Sequence, residues 1–219
     1  MVGMKLTKYT HSCVRLEKDG AVLVLDPGNF SEVEQALDGA NHILVTHVHP
    51  DHFDEGKVIA FLREHPDVTI HAPAAVIDAV LAALPEALAK SVEADGELTL
   101  SSFSIKTFGG NHAVIHPLLP VIDNVGYLID DNLFHPGDSF VVPHGIEVGT
   151  LLVPIHAPWN KIQEVIDFII AVRAPRAFQI HDSLLADNGR NMIVGHATNF
   201  GKKYGTAFEY LAPGQSVEM

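Results

Sequence analysis

Thr46-His47-Val48-His49-Pro50-Asp51-His52-Phe53-Asp54 is the stretch on which the reading of the chain turns. It follows Ile43-Leu44-Val45, an apolar run that reads as a buried strand. It precedes Glu55-Gly56-Lys57-Val58-Ile59-Ala60-Phe61-Leu62, which reads as a helix capped by Asp54. Three imidazoles and a carboxylate therefore stand on one strand-to-helix loop. In an extended segment alternate side chains face one way. His47 and His49 can thus serve one metal ion, while Asp51 and His52, beside a stiffening proline, reach toward another. Imidazole with carboxylate is a donor set for zinc, and also for manganese or iron. The pattern H-x-H-x-D-H arises by chance roughly 0.004 times in a chain of this length and composition. Crowded after a strand, these groups have no structural use without a cation.

Upstream of the motif, Cys13 to Glu17 alternates, Lys18-Asp19-Gly20 turns, and Ala21 to Leu25 is continuously apolar. Lys5 to Leu25 thus reads as an opening β-meander. It ends in Asp26-Pro27-Gly28, where Asp26 either initiates a turn or orients a ligand histidine from behind. A short helix over Ser31 to Leu37 leads to the central strand. Downstream, Val68 to His71 is a strand and Ala74 to Leu84 an alanine-rich helix; His65 and His71, at element ends, read as surface or capping residues. Glu97 to Leu100 and Phe103 to Thr107 pair, and the second runs through Phe108-Gly109-Gly110-Asn111 into His112. Ala113 to Asn124 has no periodicity and reads as a site wall.

Val125 to Ile129 and Leu133 to His135 flank the turn Asp130-Asp131-Asn132 and lead into Pro136-Gly137-Asp138-Ser139. Leu151 to Ile155 delivers His156-Ala157-Pro158-Trp159, and an amphipathic helix runs from Asn160 through Ala171. Arg176 to Ile180 delivers His181-Asp182. A helix from about Arg190 to Lys203 and a strand around Phe208 to Leu211 close the chain. Each strong candidate ligand follows a strand, the place where α/β sheets gather functional groups.

With 219 residues, 47% of them hydrophobic, the chain can bury a full core; no linker or charge run divides it, so a single domain over 1–219 is expected. The one cysteine, Cys13, rules out an internal disulfide and fits a reducing compartment. The start, Met1-Val2-Gly3-Met4-Lys5, lacks the apolar region of a signal peptide, and no long apolar segment follows. A soluble cytoplasmic protein without membrane contact is the expectation. A formal net charge of −13 disfavours nucleic-acid partners, which call for a basic footprint. It leaves small-molecule substrates, phosphorylated ones included, and self-association into a homo-oligomer open.

The order H-x-H-x-D-H after a strand, then His112, then Gly137-Asp138 after a β-hairpin, then His181 at a strand end, resembles the metallo-β-lactamase-fold superfamily. The likeness runs from Asp26 to His181. Within it His135-Pro136-Gly137-Asp138-Ser139, Ala157-Pro158-Trp159 and Ile180-His181-Asp182 are similar to metal-dependent hydrolases near the L-ascorbate-6-phosphate lactonase-like branch. The resemblance implies an α/β fold of four αβ/βα layers with the site at one edge of two sheets. It also implies one ion held by His47, His49 and His112, a second by Asp51, His52 and His181, and Asp138 bridging them. Asp51 and Asp138 take the catalytic roles, and the cofactors are two divalent ions, zinc first, with Mn2+ or Fe2+ as alternatives.

His116 is a rival for the third ligand of the first ion; His112 is preferred because it directly follows the strand and the glycine pair. His135 and His156 are expected to pack behind the ligands, Trp159 to line the pocket or to pack, and His11, His42, His144 and His196 to be surface or satisfied core histidines. Where glyoxalase II and lactamase-like branches carry Gly-His-Thr-Pro-Gly-His, this chain has Gly109-Gly110-Asn111-His112-Ala113-Val114-Ile115-His116, which argues against thioester hydrolysis. Histidine rather than glutamate at His49 argues against two-electron chemistry. The reaction implied is hydrolysis of a small-molecule ester, lactone, amide or phosphodiester by a metal-bridging hydroxide, since two nearby cations lower the pKa of a shared water from about 15.7 to about 7. The alternatives are a non-catalytic metal-binding protein on the same fold and a nucleic-acid phosphodiesterase.

Overall fold

Three short strands open the chain: β1 (Lys5–Lys8), β2 (Val14–Lys18) and β3 (Ala21–Leu25). They pair antiparallel, and Asp19 and Gly20 make the second turn with φ of 50° and 78°. The computed structural model describes residues 3–219; Met1 and Val2, with the part of the leader reading that rests on them, lie outside the described residues. After α1 (Val33–Leu37), the strands β4 (His42–Leu44), β5 (Thr69–Ala72) and β6 (Leu88–Ser91) add in parallel, separated by α2 (Glu55–Glu64) and α3 (Ala74–Ala83). Asp54 caps α2 by accepting the Lys57 N–H, as its position predicts.

The second sheet repeats this scheme. β7 (Glu97–Leu100), β8 (Phe103–Gly109), β9 (Val125–Ile129) and β10 (Leu133–His135) form an antiparallel meander. Then β11 (Thr150–Pro154), β12 (Arg176–Ile180) and β13 (Ala207–Glu209) add in parallel, with α4 (Ile162–Val172) and α5 (Asp187–Lys203) in the connections. Finally β14 (Ser216–Glu218) returns to pair with β1, which completes two seven-stranded sheets.

Alternation within the strands sets the layers. Leu23, Leu25 and Leu44 of the first sheet meet Phe103, Tyr127, Leu152 and Phe178 of the second in an inner core. The opposite faces carry Val24, Ile43 and Ile70 against α1 to α3, and Phe134, Leu151 and Val153 against α4 and α5. The result is the αβ/βα sandwich, with helices outside and sheets inside. Two strands were not foreseen. β6 and β14 are short, mostly exposed and without apolar alternation, so their sequences carry no strand signal; the open edges of β5 and β1 recruit them. His71 also departs from its surface reading, since it is buried within β5. Among the described residues no helix is long and apolar enough to cross a membrane.

Candidate metal centre

Every expected ligand lies at one edge of the sandwich, just beyond the strand that carries it. Thr46, the first residue of the motif, is held by Asp26 at the end of β3: its N–H donates to Oδ1 (2.7 Å) and its hydroxyl to Oδ2 (2.8 Å). That hydroxyl is 3.0 Å from His47 Nδ1, and Asp26 Oδ2 is 2.7 Å from His52 Nδ1. Asp26 therefore takes the orienting role rather than only opening a turn. Similarly, His112 Nδ1 donates to the Ala113 carbonyl (2.5 Å) and His181 Nδ1 to the His156 carbonyl (2.6 Å). With each Nδ1 engaged behind the ring, the Nε2 atoms of His47, His52, His112 and His181 face the centre. His49 turns the other way, its Nδ1 lying 3.2 Å from His47 Nε2.

Asp138 stands in the middle. Its Oδ1 is 3.1 Å from His52 Nε2, and its Oδ2 is 3.3 Å from His112 Nε2 and 3.1 Å from His181 Nε2. Oδ2 also accepts the indole N–H of Trp159 (2.9 Å), so Trp159 lines the pocket. The carboxylate is delivered by Gly137, whose φ of 63° suits glycine. A Cβ there would lie 2.3 Å from Asn124 Oδ1 and 2.7 Å from Thr46 Cβ. Asn124 in turn accepts the Asp138 N–H and donates to the Pro136 carbonyl, both at 2.9 Å. Gly28 makes the matching close approach to the motif loop, since a Cβ on it would overlap the Asp51 carbonyl.

These side chains form two groups whose donor atoms all lie within 4.8 Å of one another: His47, His49, His112 and Asp138, and then His11, Asp51, His52 and His181. All seven sequence candidates are brought together. His116 is exposed, with its Nδ1 accepting the Leu118 N–H, and stands apart from both groups. His135 is buried behind the site, 2.9 Å from the Ser12 carbonyl and 3.7 Å from Asp26 Oδ2.

His11 is the member that sequence reasoning missed. It sits in the β1–β2 turn with φ of 65°, fully buried, 3.1 Å from Asp51 Oδ2. Its one signal in the sequence is the polar triplet Thr10-His11-Ser12 between two strands, which resembles any turn.

The electrostatics favour a cation. Burial holds the His47 imidazole well below its usual range and His11 at about 4, so both rings are neutral at pH 7. At His52 burial works the same way, but Asp138 and Asp26 on either side outweigh it and draw positive charge onto the ring. Burial disfavours the Asp51 carboxylate, yet the His11 hydrogen bond and the surrounding imidazoles hold it down to about 2. Among the described residues His52 Nε2, His112 Nε2 and Asp138 Oδ1 are buried without an aligned hydrogen-bond partner. Such atoms are costly unless they bind something, and three converging on one point fit divalent ions.

The model of the family described as "Beta-lactamase superfamily domain" matches residues 5–181. The chain belongs to the β-lactamase superfamily. Within the superfamily it is 38% identical over 200 residues to Protein Rv0786c of Mycobacterium tuberculosis, a match covering 89% of this chain and 92% of that one. A protein of Methylocella silvestris named a UPF0173 metal-dependent hydrolase is 44% identical over 63 residues, 26% of this chain and 27% of that one. Among solved structures, the metallo-β-lactamase-fold protein YhfI of Bacillus subtilis superposes with a TM-score of 0.76 over the whole of both chains at 16% identity. The superfamily fold expected from the order of histidine and aspartate motifs is therefore the fold of this chain.

Proposed function

We propose that the protein is a dinuclear metal-dependent hydrolase of a small molecule. His47, His49 and His112 would hold one ion and Asp51, His52 and His181 the second, with Asp138 the carboxylate that both sets of donors face. The observation that carries this reading is the convergence of the two donor groups on Asp138, with the Nδ1 atoms of four rings already engaged behind them. The hydrolase name of the Methylocella relative supports the reaction class. Zinc suits the imidazole-rich set, and manganese or iron suits the carboxylates.

When bound, two such ions supply an activated water and an electrophilic anchor for a carbonyl or phosphoryl oxygen. The protein's own part is positional. Asp26 and Thr46 fix the ring planes, Asp138 sets the separation of the two donor groups, and Asp51 aims a carboxylate held ionised by His11. The candidate bonds are ester, lactone, amide and phosphodiester, with a lactone in keeping with the branch that the Pro-Gly-Asp and Ile-His-Asp elements resemble.

The test is reconstitution followed by elemental analysis and a hydrolysis panel. Two ions per chain and turnover of at least one substrate class are expected. Less than about half an ion per chain after reconstitution overturns the metal assignment; two ions with no turnover points to a metal-binding protein without catalysis.

A further inference from the structure

Outside the ligands, the cleft over the metal centre, about 330 Å3 in volume, is walled by Phe30, Pro50, Ile115, Pro158, Trp159 and Leu184, with Asn29 the one uncharged polar residue among them. Among the described residues no lysine or arginine lines it. Phe30, Ile115 and Leu184 are 42%, 40% and 53% exposed, an uncommon cost for three large apolar side chains gathered at one mouth. The two aromatic members of the wall are held in place. Phe30 packs edge-on against His11 at 5.2 Å, and Trp159 is held by Asp138 and packs on Phe140 at 5.1 Å. A substrate phosphate or carboxylate remote from the ions would meet no cation here and would lose its hydration against carbon.

Resting on the hydrolase reading, we infer that the substrate is an uncharged ester or lactone whose alkyl or aryl part fills this wall, and that Phe30, Ile115, Trp159 and Leu184 set that preference. At about 30 Å3 per non-hydrogen atom the cleft takes on the order of ten such atoms. In the reaction the carbonyl carbon gains the water oxygen and the C–O bond to the ring or alkoxy oxygen breaks, with its electron pair going to that oxygen. The products are a carboxylate, an alcohol and one released proton. The site thereby departs from the phosphorylated lactone that the sequence resemblance suggests.

Two measurements separate this inference from the reading beneath it. In the first, kcat/KM of the metal-loaded protein is followed by proton release on γ-butyrolactone, γ-hexalactone, γ-octalactone and γ-decalactone, with 6-phosphogluconolactone as the charged comparator. It should rise about two- to fourfold per added methylene until the cleft is full, the phosphorylated lactone being slowest. Leu184→Arg should lower kcat/KM for γ-decalactone about tenfold without lowering metal content.

The second measurement needs no turnover. Trp159 is the sole tryptophan, so its fluorescence in metal-free protein reports the cleft directly. Saturable change with γ-decalactone, weakened by Leu184→Arg and absent with 6-phosphogluconolactone, is expected. A flat dependence on chain length, or preference for the phosphorylated lactone, overturns the inference while leaving the hydrolase reading intact. If neither lactones nor alkyl esters are hydrolysed while the wider panel turns over, the inference fails and the hydrolase reading stands; if the whole panel is inert, the hydrolase reading fails and the absence of a fluorescence response to γ-decalactone overturns the inference as well.

Discussion

His11 Nδ1 lies 2.8 Å from Ser183 Oγ and 3.5 Å from the Ser183 N–H. A backbone N–H can only donate, so Nδ1 is the bare nitrogen of a neutral ring, and the ring proton sits on Nε2, donated to Asp51. In the proposed centre His11 would therefore position Asp51 rather than add to the ligand count. His11→Ala should leave two sites but weaken the one containing Asp51 by about 10- to 100-fold, the usual effect of losing an orienting hydrogen bond. Titration against a competing chelator measures this. Unchanged affinity would show that Asp51 needs no such partner, and loss of one ion entirely would make His11 a ligand. The substitution His116→Ala, on an exposed ring away from both groups, should leave metal content unchanged in the same assay.

The elements end abruptly where the chemistry begins. Asp26 after β3 and His181 after β12 have φ of 50° and 56°, a region that costs a non-glycine residue about 1 kcal/mol or more. Both turns hold because their neighbours overdetermine them: the Asp26 carboxylate is tied to Thr46 and His52, and the His181 N–H donates to the His11 carbonyl. At Gly137 no side chain fits at all. Gly137→Ala should cost roughly 2–4 kcal/mol, combining left-handed strain with displacement of Asn124 and Thr46, and should lower metal affinity with it. Chemical denaturation of metal-free and metal-loaded protein reads both effects; a loss below about 1 kcal/mol would mean that Thr46 and Asn124 yield easily.

The same element ends explain what could be read from sequence. The strands that deliver the seven expected ligands are apolar runs with a polar stop or, for β8 before His112, a regular alternation ending in two glycines, and they stand out. His11 sits in an ordinary polar turn, while β6 and β14 are strands only because an edge lies beside them. The apolar mouth was equally hidden, since Phe30, Ile115 and Leu184 are far apart in the chain and meet only through the fold.

At the scale of the whole molecule, the centre is a seam. The first sheet supplies His47, His49, Asp51 and His52, the second His112, Asp138 and His181, so each donor group draws on both. Ions bound there tie the sheets together and stabilise only the folded chain. At a thousandfold excess over Kd the gain is about 4 kcal/mol, which corresponds to roughly 8–16 °C in Tm at this size. Stripping the protein with a chelator should lower Tm by about that amount, and re-addition of zinc should restore it; calorimetry that finds no change would place the ions away from the seam.

β14 pairs with β1 in the register Lys5 to Glu218, joining the first strand of the chain to the last. This gives the centre a history as well as a shape. On the ribosome the histidines of the Thr46–Asp54 loop emerge while Asp138 and His181 are still unsynthesised, and the edge of β1 waits for a strand more than two hundred residues further along. A nascent chain therefore carries half a chelator with nothing to close it. Both donor groups are complete only once His181 has been made and the second sheet has formed beside the first.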